Sequence, residues 1–230
     1  MTNTSPKISV VSIALSEGEL DDLKSDLERQ SYEDFEFVPV VGDMSIPEAW
    51  NKGIQQANGE DIAFTERDVK VPRDWREGIV REFERGEDFI MGYEVQLPQE
   101  HHSMSSTAIR ADWAKNTPFN EDLSITEDTE WFARLMNKYG FQIEKSESAP
   151  IVFHEKSRGK YKWAFYHGIN RAEIWLDYNY EGKSASDVTS RRFQRVLIEL
   201  LTLAGQAIGV AKHPIKITKR FLKNAQDRFS

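Results

Sequence analysis

Apolar positions along the chain recur in two periods, one of strands and one of helices. Ile8 to Leu15 is a near-continuous apolar run rich in β-branched residues, which predicts a parallel strand buried on both faces. From Glu17 to Gln30 the apolar residues fall at helical spacing, with Leu20, Leu23 and Leu27 on one face. Phe35 to Val41 predicts a second strand ending at Gly42-Asp43, and Pro47 to Ala57 a second helix closed by Asn58-Gly59. Ile62 to Phe64 predicts a third, short strand. Strands and helices alternating in this way imply an α/β sheet with right-handed crossovers.

After Pro72 the spacing predicts a helix over 74–85 with Trp75, Ile79 and Phe83 inward, then a strand from Phe89 to Leu97. His101 to Ser106 reads as a polar, irregular, flexible loop and Thr107 to Arg110 as a short strand. Thr126 to Tyr139 predicts a strong helix. Thr126 is its expected cap, Glu127 and Asp128 sit at its positive end, and Gly140 stops it. Phe141 to Ile143 and Pro150 to Phe153 predict short strands, and Lys156 to Lys162 a basic, glycine-containing loop. Near Lys183 a cluster of serines marks a linker, dividing the chain into a domain over 1–182 and a helical extension over 183–230. In that extension Phe193 to Ala211 predicts an amphipathic helix. Its polar stripe is Arg195, Glu199, Thr202 and Gln206, which with the short apolar length argues against a membrane span.

Composition narrows the classes. The 230 residues suffice for one α/β domain with appendages, and 39% hydrophobic content is that of a folded protein. Zero cysteines exclude disulfides, thiolate metal sites and cysteine nucleophiles, and fit a cytoplasmic setting. Met1 to Lys7 carries no apolar signal core. The net charge of −8 is uneven: residues 191–230 hold nine Lys/Arg against two Asp/Glu, a net of +7, leaving −15 on the first 190. An acidic body disfavours nucleic acid. A basic tail on it points to an anionic membrane face, with packing or a homodimer as the alternative use of the tail helix.

The candidate chemistry follows the third strand. Glu66 and Asp68 stand one residue apart just past Phe64. In an extended segment they would point the same way, at the C-terminal lip where open α/β sheets hold ligands. Two hard oxygen ligands suit Mg²⁺ or Mn²⁺ shared with a diphosphate. An isolated E-x-D is more often a polar exit from a strand, so the weight comes from its surroundings.

Those surroundings resemble the family 2 glycosyltransferases over about 7–168. Ile8 to Leu15 looks like the family's first strand, and Gln30-Ser31-Tyr32-Glu33-Asp34-Phe35-Glu36 like its turn into the second. Asn51-Lys52-Gly53-Ile54 with Ala57-Asn58-Gly59-Glu60 looks like the helix before the metal strand. Glu66-Arg67-Asp68 stands where that family has its D-x-D motif, with Glu in place of the usual first Asp. Glu127-Asp128 stands at its E-D pair, followed by Arg134-Leu135, Gly140 and His154.

The resemblance implies a GT-A fold, a Rossmann-like mixed sheet flanked by helices, with the helical C-terminal extension added. It implies metal-dependent, inverting transfer of a sugar from a nucleotide-sugar to a hydroxyl, with a glycan or polyprenyl-linked acceptor. Asp68, Glu66 and His154 would hold the ion, and Glu66 could instead bind the ribose. Asp43, Asn51, Lys52, Arg158 and Lys160 would contact the donor. Asp128 would be the general base, with Glu127 orienting it or the acceptor. From the residues alone, Asp128 could equally be a helix-start acid and His154 a structural histidine. The alternative function is a catalytically silent nucleotide-sugar-binding or scaffold protein at the membrane surface.

Overall fold

The computed structural model describes residues 6–94, 104–123 and 126–153, with backbone alone at 93–94 and 150–153. His154, Arg158, Lys160, the expected boundary at 182/183 and the basic tail lie outside these residues.

The chain runs β1 (Ile8–Ala14), α1 (Asp21–Glu28), β2 (Phe35–Val41), α2 (Ile46–Gln56), β3 (Asp61–Phe64), β4 (Val69–Lys70) and α3 (Trp75–Glu84). It continues through β5 (Phe89–Glu94), β6 (Thr107–Arg110), α4 (Ala111–Lys115), α5 (Glu127–Tyr139) and β7 (Lys145–Phe153). The strand order is β2-β1-β3-β6-β5-β7-β4. β1 pairs in parallel with β2 and β3, as the alternating pattern requires, and β5 with β7. β6 is inserted antiparallel between β3 and β5, and β4 pairs antiparallel with β7. This is the mixed α/β sheet expected from the sequence.

Each sheet face carries its own core. Ile8 and Val10 pack with Leu20, Leu23 and Leu27 around α1, and with Trp75, Ile79 and Phe83 of α3. Val11, Ile62 and Phe64 pack on the other face with Trp50 and Ile54 of α2 and Trp131, Phe132 and Leu135 of α5. Burying an apolar side chain of this size contributes about 1.5–3 kcal/mol, so these two clusters dominate the stability of the domain.

Three local expectations are corrected. The segment from Glu17 begins as a 3-10 turn, Glu17–Leu20, before α1. Phe141 to Ile143 forms no strand; Phe141 instead packs its ring at a tilt against Phe89 at 5.0 Å and Trp113 at 5.7 Å. The last described strand begins at Lys145 rather than Pro150. Its polar start is legible only in three dimensions, because the Ser146 and Ser148 hydroxyls donate to Glu82 of α3. Gly78 permits that approach: a Cβ there would lie 1.6 Å from the Ser148 carbonyl oxygen.

Candidate functional site

The C-terminal ends of β1, β2 and β3 form one lip. β3 is buried throughout, and its last residue, Phe64, is held edge-on by Trp50 at 5.4 Å and by Trp131 at 5.6 Å. The chain then leaves the sheet. Thr65 is buried, while Glu66, Arg67 and Asp68 are half-buried, and Arg67-Asp68 lie in a turn. Glu66 and Asp68 are therefore not related by strand alternation as the sequence suggested. Val71 N–H donates to Asp26 at 3.3 Å, and Gln30 Nε2 donates to the Pro72 carbonyl at 2.5 Å, which ties the far end of the loop to α1. Arg67 reaches Glu19 at 3.5 Å, and Glu19 accepts from the Leu15 N–H at 2.9 Å. The loop is thus anchored to the ends of both β1 and α1.

α5 brings the second acidic pair to the same end. Its last residue, Tyr139, stacks on Trp113 of α4 at 3.9 Å. α4 follows Arg110, which stands opposite Asp61 at the start of β3. Trp131, by contrast, meets Phe64 at the finish of β3. The helix thus runs against β3, covering about 12 Å from Trp131 to Tyr139 beside a strand of about 10 Å. Asp128 lies about 4.5 Å before Trp131 along the helix axis, on the side away from Tyr139.

At the start of α5, Thr126 adopts φ 67 and ψ 20, the left-handed region, and is buried. Its side chain makes no capping hydrogen bond, which corrects the expected N-cap; its carbonyl accepts from the Glu130 N–H at 3.0 Å. A β-branched residue held in this region costs on the order of 1–3 kcal/mol, and such strain gathers where geometry is functional. Glu127 and Asp128 are half-buried in the first turn, where the helix dipole favours anions. Asp128 Oδ1 accepts from the Thr129 N–H at 2.6 Å and hydroxyl at 3.2 Å. One turn on, buried Glu130 takes Arg134 in both oxygens at 2.8 and 3.0 Å, which stiffens the helix behind the pair.

No family model and no curated protein matches this sequence. Solved structures do. The mannosyltransferase PcManGT from Pyrobaculum calidifontis, in complex with GDP-Man and Mn²⁺, aligns with a TM-score of 0.58 at 12% identity, over 97% of this chain and 81% of its own. S. aureus TarS 1-349 in complex with UDP-GlcNAc aligns at 0.56 and 14% identity, over 90% of this chain and 74% of its own. Another S. aureus TarS structure aligns at 0.55 and 17% identity; there the match covers 76% of this chain but only 40% of the TarS chain. The chain has a glycosyltransferase fold.

Within this glycosyltransferase fold the remaining candidates separate. Asp43 is exposed just past β2, where Gly42 N–H still donates to the Ala14 carbonyl at 3.1 Å. Lys52 is exposed on α2. Asn51 is buried and engaged within the protein: Nδ2 donates to the Phe119 carbonyl at 3.0 Å and to Glu121 at 2.8 Å, and Oδ1 accepts from the Phe119 N–H at 2.7 Å. Its geometry is that of a brace for the 119–121 loop, which carries Phe119 onto Trp131 at 4.4 Å. Among the described residues no three His, Asp or Glu side chains cluster as a complete metal cage.

Two participants carry no recognisable signal in the sequence. Glu19 is one more acid in the segment before α1. Ser105 belongs to a stretch expected to be a flexible loop, yet Met104–Ser106 forms a 3-10 turn in which all three residues are buried. Ser105 donates its hydroxyl to Glu66 Oε2.

Proposed function

We propose that this chain is an inverting, metal-dependent glycosyltransferase of the family 2 type, moving a sugar from a nucleotide-sugar to a hydroxyl. The observation that supports the reading is the contact at 5.6 Å between Phe64, two residues before Glu66, and Trp131, three residues after Asp128. Nucleotide-sugars bound to the fold neighbours support a donor of this class. The Mn²⁺ in the mannosyltransferase complex supports Mg²⁺ or Mn²⁺ as the cofactor.

The donor set fits an ion that shares its coordination shell with a substrate. Glu66 and Asp68 offer hard oxygens, and the diphosphate and water would supply the rest. His154 would add a third protein ligand. When bound, the ion neutralises charge on the diphosphate. Asp128 takes the proton from the acceptor hydroxyl as its oxygen attacks the anomeric carbon. The bond from that carbon to the diphosphate oxygen breaks, and the nucleoside diphosphate leaves. Glu127 holds the acceptor or the base. Asp43 and Lys52 would contact the donor, and the family resemblance would add Arg158 and Lys160 against its phosphate charge.

A catalytically silent binding protein is the second reading, favoured by the internal engagement of Asn51. Release of UDP or GDP from a panel of UDP- and GDP-sugars with Mn²⁺ separates the two. Release above the uncatalysed rate supports the enzyme, and tight binding without release supports the silent protein.

The +7 tail on a −15 body further suggests work at the cytoplasmic membrane face on a polyprenyl-linked or other glycan acceptor. Among the described residues no helix is long and apolar enough to cross a membrane. Each basic residue near an anionic surface contributes about 1 kcal/mol. Full-length protein should therefore co-sediment with vesicles rich in anionic phospholipid at low salt and be released as salt rises. Full-length protein that ignored the anionic vesicles at low salt would assign the tail to packing or a homodimer.

A further inference from the structure

The β3–β6 ladder sets more than the sheet itself. Phe64 stands opposite Thr107 in an antiparallel register. Past that last pair both segments leave the ladder, one into Thr65-Glu66 and the other into the Met104–Ser106 turn, and the Ser105 hydroxyl meets Glu66 there. β6 enters antiparallel to β3, and that entry carries the Met104–Ser106 turn to the lip of β3.

The turn is fixed from behind. Trp75 Nε1–H donates to the Ser106 hydroxyl at 3.0 Å, and that hydroxyl donates to the Ala149 carbonyl at 2.9 Å. All three residues are buried. Gly92 leaves the room: a Cβ there would lie 2.0 Å from both Ser106 Oγ and the Ala149 oxygen. A buried relay thus joins α3, the turn and β7, and the next side chain along, Ser105, is fully buried and donates to Glu66.

We infer that Ser105 is a positioning residue for Glu66: its buried hydroxyl, carried to the lip of β3 by the turn that leads into β6, donates to the carboxylate and fixes that side chain where the donor's metal is met. The inference rests on the proposed role of Glu66 in binding the donor. It gives a reason for glutamate at this position. The extra methylene spans the gap to Ser105, and aspartate stops short of it. A hydrogen bond to a charged group is among the stronger ones, and this one narrows the rotamers open to Glu66 before each binding event.

The test uses full-length protein, with UDP and GDP as probes in Mn²⁺ and again in EDTA. Ser105→Ala should weaken Mn²⁺-dependent nucleotide affinity by about ten- to a hundredfold and leave binding in EDTA unchanged. Glu66→Asp should lose about as much, because it no longer reaches the hydroxyl. The double variant should lose no more than either single one, because both remove the same contact. A purely structural role for Ser105 would instead make Ser105→Ala weaken binding by the same factor whether or not Glu66→Asp is also present; that additive result would overturn the inference. So would wild-type affinity in Ser105→Ala. If wild-type protein shows no Mn²⁺-dependent nucleotide binding, the donor-site reading falls and the inference with it.

Discussion

Asp128→Asn lowers turnover by about 10²–10⁴-fold, the usual worth of a positioned general base, with nucleotide-sugar affinity unchanged. Asparagine keeps the shape and still offers an oxygen to the Thr129 N–H, which Asp128 now holds at 2.6 Å. The start of α5 is therefore preserved, along with the stack of Trp131 on Phe119. Only the ability to take a proton is lost. Steady-state rates beside equilibrium donor binding separate turnover from affinity. Near-full transfer in Asp128→Asn would remove Asp128 from the mechanism.

The second large effect is at Asp68. Removing an outer contact of a metal site costs about 10–100-fold in affinity, so removing a direct ligand should cost at least the upper end. Asp68→Ala should lose Mn²⁺-dependent nucleotide binding by about a hundredfold or more. EDTA should reduce wild-type binding to the same level and leave the variant unaffected. Fold stability should hardly change, since Asp68 is half-buried in a turn outside both core clusters. Calorimetry with UDP and GDP reads the affinity, and thermal unfolding reads the stability. Wild-type affinity that ignored EDTA, matched by Asp68→Ala, would contradict a metal held at this loop.

The sequence shows the two acidic motifs clearly and their setting only in part. β1, β2, α2, α3 and α5 are legible because long apolar runs or 3.6-residue stripes leave one solution for burial. The E-x-D geometry is not. Alternation presumes an extended chain, and a turn at Arg67-Asp68 replaces it. Thr126 is the residue type of a cap, yet it takes a left-handed backbone instead. Asn51 looks like a ligand contact, but both ends of its amide meet the 119–121 loop, almost 70 residues on. Ser105 is hidden most deeply. Its partner lies just beyond the β3–β6 pairing, and that antiparallel pairing is a property of the assembled sheet rather than of any local pattern.

The sugar released at early times when wild-type protein hydrolyses an α-linked donor tests the central claim most directly. UDP-GlcNAc and GDP-Man, the donors seen with the fold neighbours, are the first to try with Mn²⁺. Proton NMR before mutarotation distinguishes the anomers. Attack assisted by Asp128 from the face opposite the diphosphate should yield the β-anomer with stoichiometric UDP or GDP. An α-anomer as the first product, or no nucleotide release from any UDP- or GDP-sugar in Mn²⁺, would contradict inverting transfer.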